Sequence, residues 1–308
     1  GVDVAVAEVG LGGRLDATNV IAPLVSAVTN VAMDHSDYLG DTLPAIAAEK
    51  AGIIKTDTPF VTAETDPALL DVFRRIAAVR GAPMVTLDPA SAVEELEIAA
   101  DHTAFTLMTR AWGKLRLRTP LVGRHQATNT ALALEMLEHL PDGMRPGPEA
   151  IVRGLQGVVH PGRDQIETIG GQTWVFDVAH NTAGIHSLVD TVDRLDLPRP
   201  LVALVGVLGD KDWRSMLPPL FSRTDYAILT QPPSAPPERR WDAGMAADAV
   251  SHICPMRVEA DFLRALGRAG EEAGEGTVVV TGSVHTVGSA LKALGREPLR
   301  DAEVDASG

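Results

Sequence analysis

The sequence of 308 residues contains one cysteine, Cys254. No internal disulfide is possible, and a reducing compartment such as the cytoplasm suits the chain. Positive charge is scarce: 27 Lys and Arg stand against 41 Asp and Glu, a net charge of −14. Such a balance gives no general attraction to nucleic acid or to an anionic membrane surface, so neither is expected as a partner. No apolar stretch approaches the roughly 20 residues that cross a bilayer. The start has no basic region and no cleavage-like site, and does not read as a signal peptide. It also lacks Met and opens one residue ahead of an apolar run, which predicts a fragment of a longer protein. Internal repeats and low-complexity tracts are absent.

The length suits two domains, and 45% hydrophobic with 22% charged residues is ordinary for a globular chain. Strand-like and helix-like segments alternate almost throughout, which predicts an α/β fold with parallel sheet. The run at 2–7 reads as a buried strand, and further strands are expected at 24–31, 60–63 and 84–87. Helices are expected at 42–51, 68–80 and 126–139, the first capped by Asp41 or Thr42 and stopped by Gly52. In the third, Ala127, Ala131, Leu134 and Leu137 recur at helical spacing and mark a core-facing side. Segments 102–108 and 115–119 read as a hairpin turning at Trp112-Gly113-Lys114.

The alternation breaks at Pro141-Asp142-Gly143 and again at His160-Pro161-Gly162, with a short helix at 149–154 between them. The second break divides the chain into domains 1–159 and 160–308. Beyond it, strands at 174–177, 201–207, 226–230 and 277–281 alternate with helices at 185–195, 213–221, 243–252, 261–273 and 287–294. A Pro-rich surface loop covers 232–237, and the acidic tail after Gly295 is expected to fray.

The segment from Glu8 to Asn19, Glu-Val-Gly-Leu-Gly-Gly-Arg-Leu-Asp-Ala-Thr-Asn, carries the most chemistry. Glu8 falls where the first apolar run ends, and in open α/β sheets ligands bind at the carboxyl ends of strands. A carboxylate followed by three glycines, an arginine and an aspartate can approach an anion or a metal; it can equally be a Gly-rich turn with a solvated Glu. A dinucleotide fingerprint fails here, because Leu15 stands where G-x-G-x-x-G needs its third glycine. His35 follows the second run in Met33-Asp34-His35-Ser36-Asp37, and a parallel pairing of the two runs would bring Glu8 and His35 to one sheet edge. Imidazole is an uncommon ligand for a cation as hard as Mg²⁺, so His35 can also be a loop histidine bonded to Asp34 or Asp37.

With Glu49-Lys50-Ala51-Gly52-Ile53-Ile54-Lys55, Pro161-Gly162-Arg163, Asp177-Val178-Ala179-His180-Asn181, Lys211-Asp212 and Thr281 to Gly288, these segments resemble the folylpolyglutamate synthase/dihydrofolate synthase family, relatives of the Mur ligases. The likeness covers most of the chain, and its separate matches occur in order. It implies the remainder of a P-loop-type central ATPase domain followed by a Rossmann-like, mostly parallel α/β domain. It implies Mg²⁺ held by Glu8 and His35, and a carbamylated Lys50. A lysine beside a divalent cation loses its proton more easily, and the neutral amine can then add carbon dioxide to become an anionic carbamate. Lys55 has no such match and reads as surface. Leu15, Asp16 and Ala17 match pterin contacts, Asp16 being the one with polar chemistry to offer. Asn129, Arg163 and Asp177 match ATP contacts, and His180 is assigned a catalytic place. A guanidinium at a domain break suits phosphates. Because folates and ATP are anionic while the chain is acidic, local cations must serve them, with Arg14, Arg124, Arg163 and Lys211 as candidates.

The chain departs from the family at Thr182-Ala183, where relatives often have Pro-His, and at Asp164, where they carry an aromatic residue. It contains no Gly-Lys-Ser/Thr; its one Gly-Lys, Gly113-Lys114, precedes Leu115. By comparison with relatives, on the order of a hundred or more residues with the phosphate-binding loop would precede this sequence. The expectation is therefore an ATP-dependent amide ligase, acting as a monomer on dihydropteroate or folate and L-glutamate, whose present fragment folds only in part and catalyses nothing alone. A Mur-type peptidoglycan ligase and a non-catalytic nucleotide- or pterin-binding module are the alternatives.

Overall fold

The computed structural model describes residues 2–296; the tail expected to fray lies, from residue 297, outside the described residues. Packing divides the chain into two compact units. Residues 2–97, Ala104–Arg118 and His125–Gly157 form one, and Ile98–Thr103, Thr119–Arg124 and the chain from Val158 form the other. Among the described residues no helix is long and apolar enough to cross a membrane.

The first unit opens without a strand. Residues 2–7 make no ladder, and Val2, Val4 and Val6 are exposed, which corrects the expectation of a buried strand there. An apolar run states what its side chains prefer, whereas a ladder needs a neighbour to receive its N–H and C=O groups. Strands β1 (Ser26–Val28), β2 (Phe60–Thr62) and β3 (Met84–Thr86) form a parallel sheet in that order. Helices α1 (Ser36–Leu39) and α2 (Leu43–Lys50) follow β1, α3 (Pro67–Val79) joins β2 to β3, and the short α4 (Pro89–Ala92) follows β3. The side chains of Thr42 and Asp66 cap α2 and α3, each ahead of a proline in the first turn, so both start sites follow from local chemistry.

Strand alternation separates two faces of this sheet. Val28 and Phe60 pack with Ile46, Ala47, Leu69 and Phe73 of α2 and α3. Ala27, Val61 and Val85 face the other way, with Leu132 and Met136 of α5 (Arg124–Glu138). A second sheet, β4 (Val93–Ala99), β5 (His102–Thr109) and β6 (Gly113–Thr119), takes the opposite side of α5 through Ala127, Ala131 and Leu134, together with Ile151 of α6 (Pro148–Gln156). Helix α5 is thus apolar on two sides because it separates two sheets.

The second unit is a six-stranded sheet between two helix layers. Its strands are β7 (Gln165–Ile169), β8 (Gln172–Phe176), β9 (Leu201–Val205), β10 (Tyr226–Leu229), β11 (Met256–Val258) and β12 (Thr277–Thr281), in the order β11-β10-β9-β12-β8-β7. Every pairing is parallel except that of β7 with β8. The connecting helices are α7 (Thr182–Arg194), α8 (Trp213–Phe221), α9 (Ala243–Val250) and α10 (Phe262–Ala273), and α11 (Val284–Ala293) closes the unit. Val175, Ala203, Val205, Leu229 and Val279 meet α7, α8 and α9; Trp174, Phe176, Val202, Leu204 and Val280 meet α10 and α11. The helices that leave neighbouring β9 and β12 thus cover opposite faces. The crevice outside those two carboxyl ends is a topological switch point, where open α/β sheets bind ligands.

Candidate functional site

The loop from Glu8 to Asn19 is organised by Asp16. Its Oδ2 accepts the N–H groups of Gly10 and Leu11, both at 3.0 Å, and its Oδ1 accepts the N–H of Thr18 at 2.9 Å and the Thr18 hydroxyl at 2.6 Å. Four donors match the roughly four lone-pair sites of a carboxylate. Led by the Thr18 hydroxyl bond, they lower the Asp16 pKa from the ordinary 3.8 to about 2. The folded value is depressed, so the contribution of Asp16 is complete above the ordinary value and is lost as pH falls through about 2. The Gly10 and Leu11 amides should therefore stay protected at neutral pH and lose protection in acid below that ordinary value, as followed by amide hydrogen exchange. In Asp16→Ala they should be unprotected throughout.

This loop lies on the end of α2. The Arg14 N–H donates to the Glu49 carbonyl at 2.9 Å, and the Arg14 Nε donates to both Glu49 carboxylate oxygens at 3.0 and 3.1 Å. Asn19 Nδ2 donates to the carbonyls of Arg14 at 2.9 Å and Gly52 at 3.3 Å, and Lys55 Nζ to the Asn19 carbonyl at 2.6 Å. A Cβ on Gly13 would stand 3.0 Å from the Lys50 carbonyl, and one on Gly52 would stand 2.4 Å from Arg14 Cα. Two segments far apart in sequence thus form one piece of structure, with Lys50 half-buried beneath the glycines. Arg14, offered by the sequence as a cation for anionic substrates, is joined to Glu49, and Lys55, read as surface, is half-buried and bonded. Leu15 and Ala17 are exposed on either side of the internally bonded Asp16.

His35 sits in the left-handed region, φ 51°. Its N–H donates to Asp34 Oδ1 at 2.9 Å, and its carbonyl accepts from Tyr38 and Leu39 to start α1. The stretch leading to it is held by a residue that sequence reasoning missed. Glu64, buried just past β2, accepts the Val31 N–H on Oε2 at 2.8 Å and the Thr65 and Asp66 N–H groups on Oε1 at 2.8 and 2.9 Å. The available signal was a charged residue directly after the apolar run Phe60 to Ala63. Among the described residues no group of three or more His, Cys, Asp or Glu could hold a metal ion. Glu8, exposed, and His35 therefore form no protein cage; the Glu8 carboxylate suits Mg²⁺ held largely by waters and substrate phosphates, whereas the His35 imidazole is an uncommon ligand for it.

In the second unit, Arg163 is exposed on the turn before β7, and Asp177 is buried at the end of β8. Half-buried His180 follows it, with Nδ1 2.9 Å from the Val178 carbonyl. A carbonyl only accepts, so Nδ1 is a donor in that contact. Asn181 caps α7 through the Gly184 N–H at 2.8 Å. At the switch point Ser283 and Thr286 hydroxyls both donate to the Gly206 carbonyl, at 2.8 and 2.6 Å. Lys211, largely buried, lies 3.9 Å from Asp210. On α5, exposed Asn129 donates to Gln126 Oε1 at 3.4 Å, and Arg124 is exposed at the first residue of that helix.

Residues 1–137 match the Mur ligase middle domain, and residues 162–284 match the Mur ligase, glutamate ligase domain. The folylpolyglutamate synthase of Lacticaseibacillus casei is 32% identical over 299 residues, spanning 95% of this chain and 67% of that protein. The dihydrofolate synthase/folylpolyglutamate synthase of Mycobacterium tuberculosis is 34% identical over 323 residues, spanning 96% of this chain and 66% of that protein. The chain belongs to the folylpolyglutamate synthase/dihydrofolate synthase family of Mur ligases. A solved family member, Mycobacterium tuberculosis folylpolyglutamate synthase complexed with ADP, superposes with a TM-score of 0.87 at 34% identity, over 96% of this chain and 69% of that one. Escherichia coli FolC in complex with DHPP and ADP superposes with a TM-score of 0.79 at 31% identity, over 93% of this chain and 65% of that one. The chain spans 31%, 67% and 50% of the length of three curated family members.

Proposed function

We propose that this chain carries the folate-side and amino-acid-side parts of an ATP-dependent amide ligase that adds L-glutamate to dihydropteroate, to tetrahydrofolate, or to both. The observation that carries the reading is the Glu8–Asn19 loop seated on Glu49 to Lys55, which joins the folate-branch residues in one rigid element. A peptidoglycan ligase needs no such loop for a pterin. In the proposed reaction a folate carboxylate takes the γ-phosphoryl group of ATP, and the glutamate amine displaces phosphate from the acyl phosphate. Such transfer depends chiefly on positioning and charge neutralisation.

Glu8 and His35 are proposed to hold Mg²⁺, which when bound would neutralise phosphate charge. Lys50, as its carbamate, adds a fixed anion beneath the loop. Leu15 and Ala17 offer exposed surface to a pterin, while Asp16 shapes the turn between them. Arg163 and Asn129 serve the nucleotide, with Asp177 behind Arg163. His180 Nε2 can accept the proton that the glutamate amine loses. The single cysteine agrees with work in a reducing cytoplasm.

Glutamate-dependent ADP release with dihydropteroate or tetrahydrofolate tests the reading, on the chain alone and on the chain joined to the phosphate-binding segment of a relative. Turnover with UDP-muramyl substrates instead would replace it by the peptidoglycan reading, and nucleotide or pterin binding without turnover in either form by the binding-module reading. In the joined enzyme Arg163→Ala is expected to raise the KM for ATP by about tenfold or more. The affinity for folate should stay the same. Unchanged ATP kinetics would remove Arg163 from the nucleotide site.

A further inference from the structure

Two aspartates are packed together in the second unit, and one of them, Asp164, has no place in the reaction described above. Asp164 is 1% exposed and Asp177 6%. Two ionised carboxylates so close, and so poorly hydrated, would repel one another while losing their water. The geometry answers with a proton. Asp177 accepts an N–H on each oxygen, from Asp164 on Oδ2 at 2.9 Å and from Ala179 on Oδ1 at 2.9 Å, an arrangement that suits an anion. Asp164 Oδ2 accepts the Thr191 hydroxyl at 2.7 Å, and the Asp177 charge acts directly on the Asp164 carboxyl. Two buried carboxyls this near one another favour a single negative charge between them, and the two N–H groups on Asp177 place that charge there and leave the proton on Asp164.

The pair sits beneath a turn with little freedom. Gly162 is left-handed, φ 70°, and its carbonyl accepts the Val178 N–H at 2.8 Å; a Cβ there would stand 2.9 Å from Val178 Cγ1. Asp164 is itself left-handed, φ 44°, a conformation that a non-glycine residue keeps only when its surroundings hold it. Arg163 lies between these two anchored residues with its side chain exposed.

We propose that Asp164 works as a carboxylic acid that donates to Asp177 and thereby locks the Pro161–Asp164 turn, with Arg163 on it, to the end of β8; loss of that proton unlocks the turn. Asp164 and Asp177 are then positioning residues for Arg163, an assignment that rests on Arg163 being a nucleotide contact. The groups acting on Asp164 are Thr191 from α7, Asp177 from the end of β8 and Arg163 from its own turn. Burial and then the Asp177 charge hold the Asp164 carboxyl well above the usual carboxylate range, and the Arg163 charge opposes them. The folded value is raised, so the lock is complete below the ordinary Asp range and is lost as pH rises through the folded value.

The whole chain tests this by carboxyl-carbon NMR, with amide exchange at Asp164 and Val178, from about pH 5 to about pH 10. One aspartate should titrate far above the others. As it does, protection of both amides should fall by about tenfold beyond the ordinary base-catalysed rise in exchange. Asp164→Asn can donate to Asp177 and accept from Thr191 without ionising, so it should lose that titration and keep its protection at every pH. Asp164→Ala should be unprotected throughout. Ionisation of both carboxyls below neutral pH would overturn the proposal, as would protection that ignores the titration, a result that needs no variant. On the same samples ADP affinity should weaken about fivefold across the transition in the wild type and stay flat in Asp164→Asn. If Arg163→Ala leaves ADP affinity untouched, the nucleotide reading fails, while the titration and exchange still decide the lock.

Discussion

Gly52→Ala is expected to unseat the Glu8–Asn19 loop and to remove most folate-dependent turnover. The added Cβ would stand 2.4 Å from both Cα and Cβ of Arg14 and 2.9 Å from its nitrogen. No flexible side-chain tip is available to yield, so one backbone must move away from the other. Overpacking of this kind costs about 1–3 kcal/mol. The larger consequence is positional, because the contacts that seat the loop flank the clash: Arg14 N–H on the Glu49 carbonyl and Asn19 Nδ2 on the Gly52 carbonyl. A displacement near 1 Å in a positioning element lowers rates by about a hundredfold. In the ligase completed with a phosphate-binding segment, kcat/KM for dihydropteroate or tetrahydrofolate should fall by that order, with much less change in ADP affinity. Gly154→Ala is the control. It lies in α6 with nothing near its missing Cβ, and alanine there should stabilise the helix by about 0.5–1 kcal/mol without touching turnover. Equal activity in the two variants would show that loop seating does not matter.

The second unit was legible because its signals are local. Strands β9 and β12 are buried along their whole length and appear as the apolar run Leu201 to Val205 and the β-branched run Thr277 to Thr281, and Asn181, Asp212, Asp242, Asp261 and Ser283 cap the helices around them. Three strands escaped. β4 carries Glu94, Glu95 and Glu97, with Glu95 left-handed; β7 is a polar edge paired only with β8; and β11 has three residues at the other edge. Edge strands bury too little to show an apolar pattern. The converse error came at residues 2–7, where an apolar run without a pairing neighbour forms no strand. β1 spans only Ser26–Val28 of the longer run at 24–31 for a related reason: it is paired on one side alone.

For the site, residue types could be read but their ties could not. Glu49 stands beside Lys50 in the sequence, yet it takes Arg14 from far earlier in the chain. Asp16 was read as a carboxylate turned toward a pterin edge, whereas its oxygens hold the loop's own amides. Both cases have one cause. In a loop without regular structure the backbone donors must be met by side chains, and sequence does not say which side chain will come.

Glu64 shows the same rule at its strongest, and Glu64→Ala is expected to be the most destabilising of the substitutions considered. Its carboxylate is buried and receives the N–H groups of Val31, Thr65 and Asp66. Alanine would leave the buried Val31 donor and the part-buried Thr65 and Asp66 donors without their charged acceptor, a loss that costs on the order of 3 kcal/mol. For a unit of this size each kcal/mol lowers Tm by about 2–4 °C. Glu64→Gln separates the parts of that cost. A glutamine carbonyl can still accept from Thr65 and Asp66, but its amide would meet the Val31 N–H with another donor. That variant should melt between the wild type and Glu64→Ala. Its local defect should lie at Val31, the point from which the chain runs to His35, so amide exchange at Val31 should rise while Thr65 and Asp66 stay protected. In the completed ligase the Mg²⁺ concentration needed for half-maximal turnover should rise with it, because His35 is proposed to share that ion with Glu8. A Glu64→Gln enzyme with wild-type exchange at Val31 would mean that the carboxylate is not what holds the strand end. Normal Mg²⁺ dependence despite a loosened Val31 would instead separate His35 from the metal.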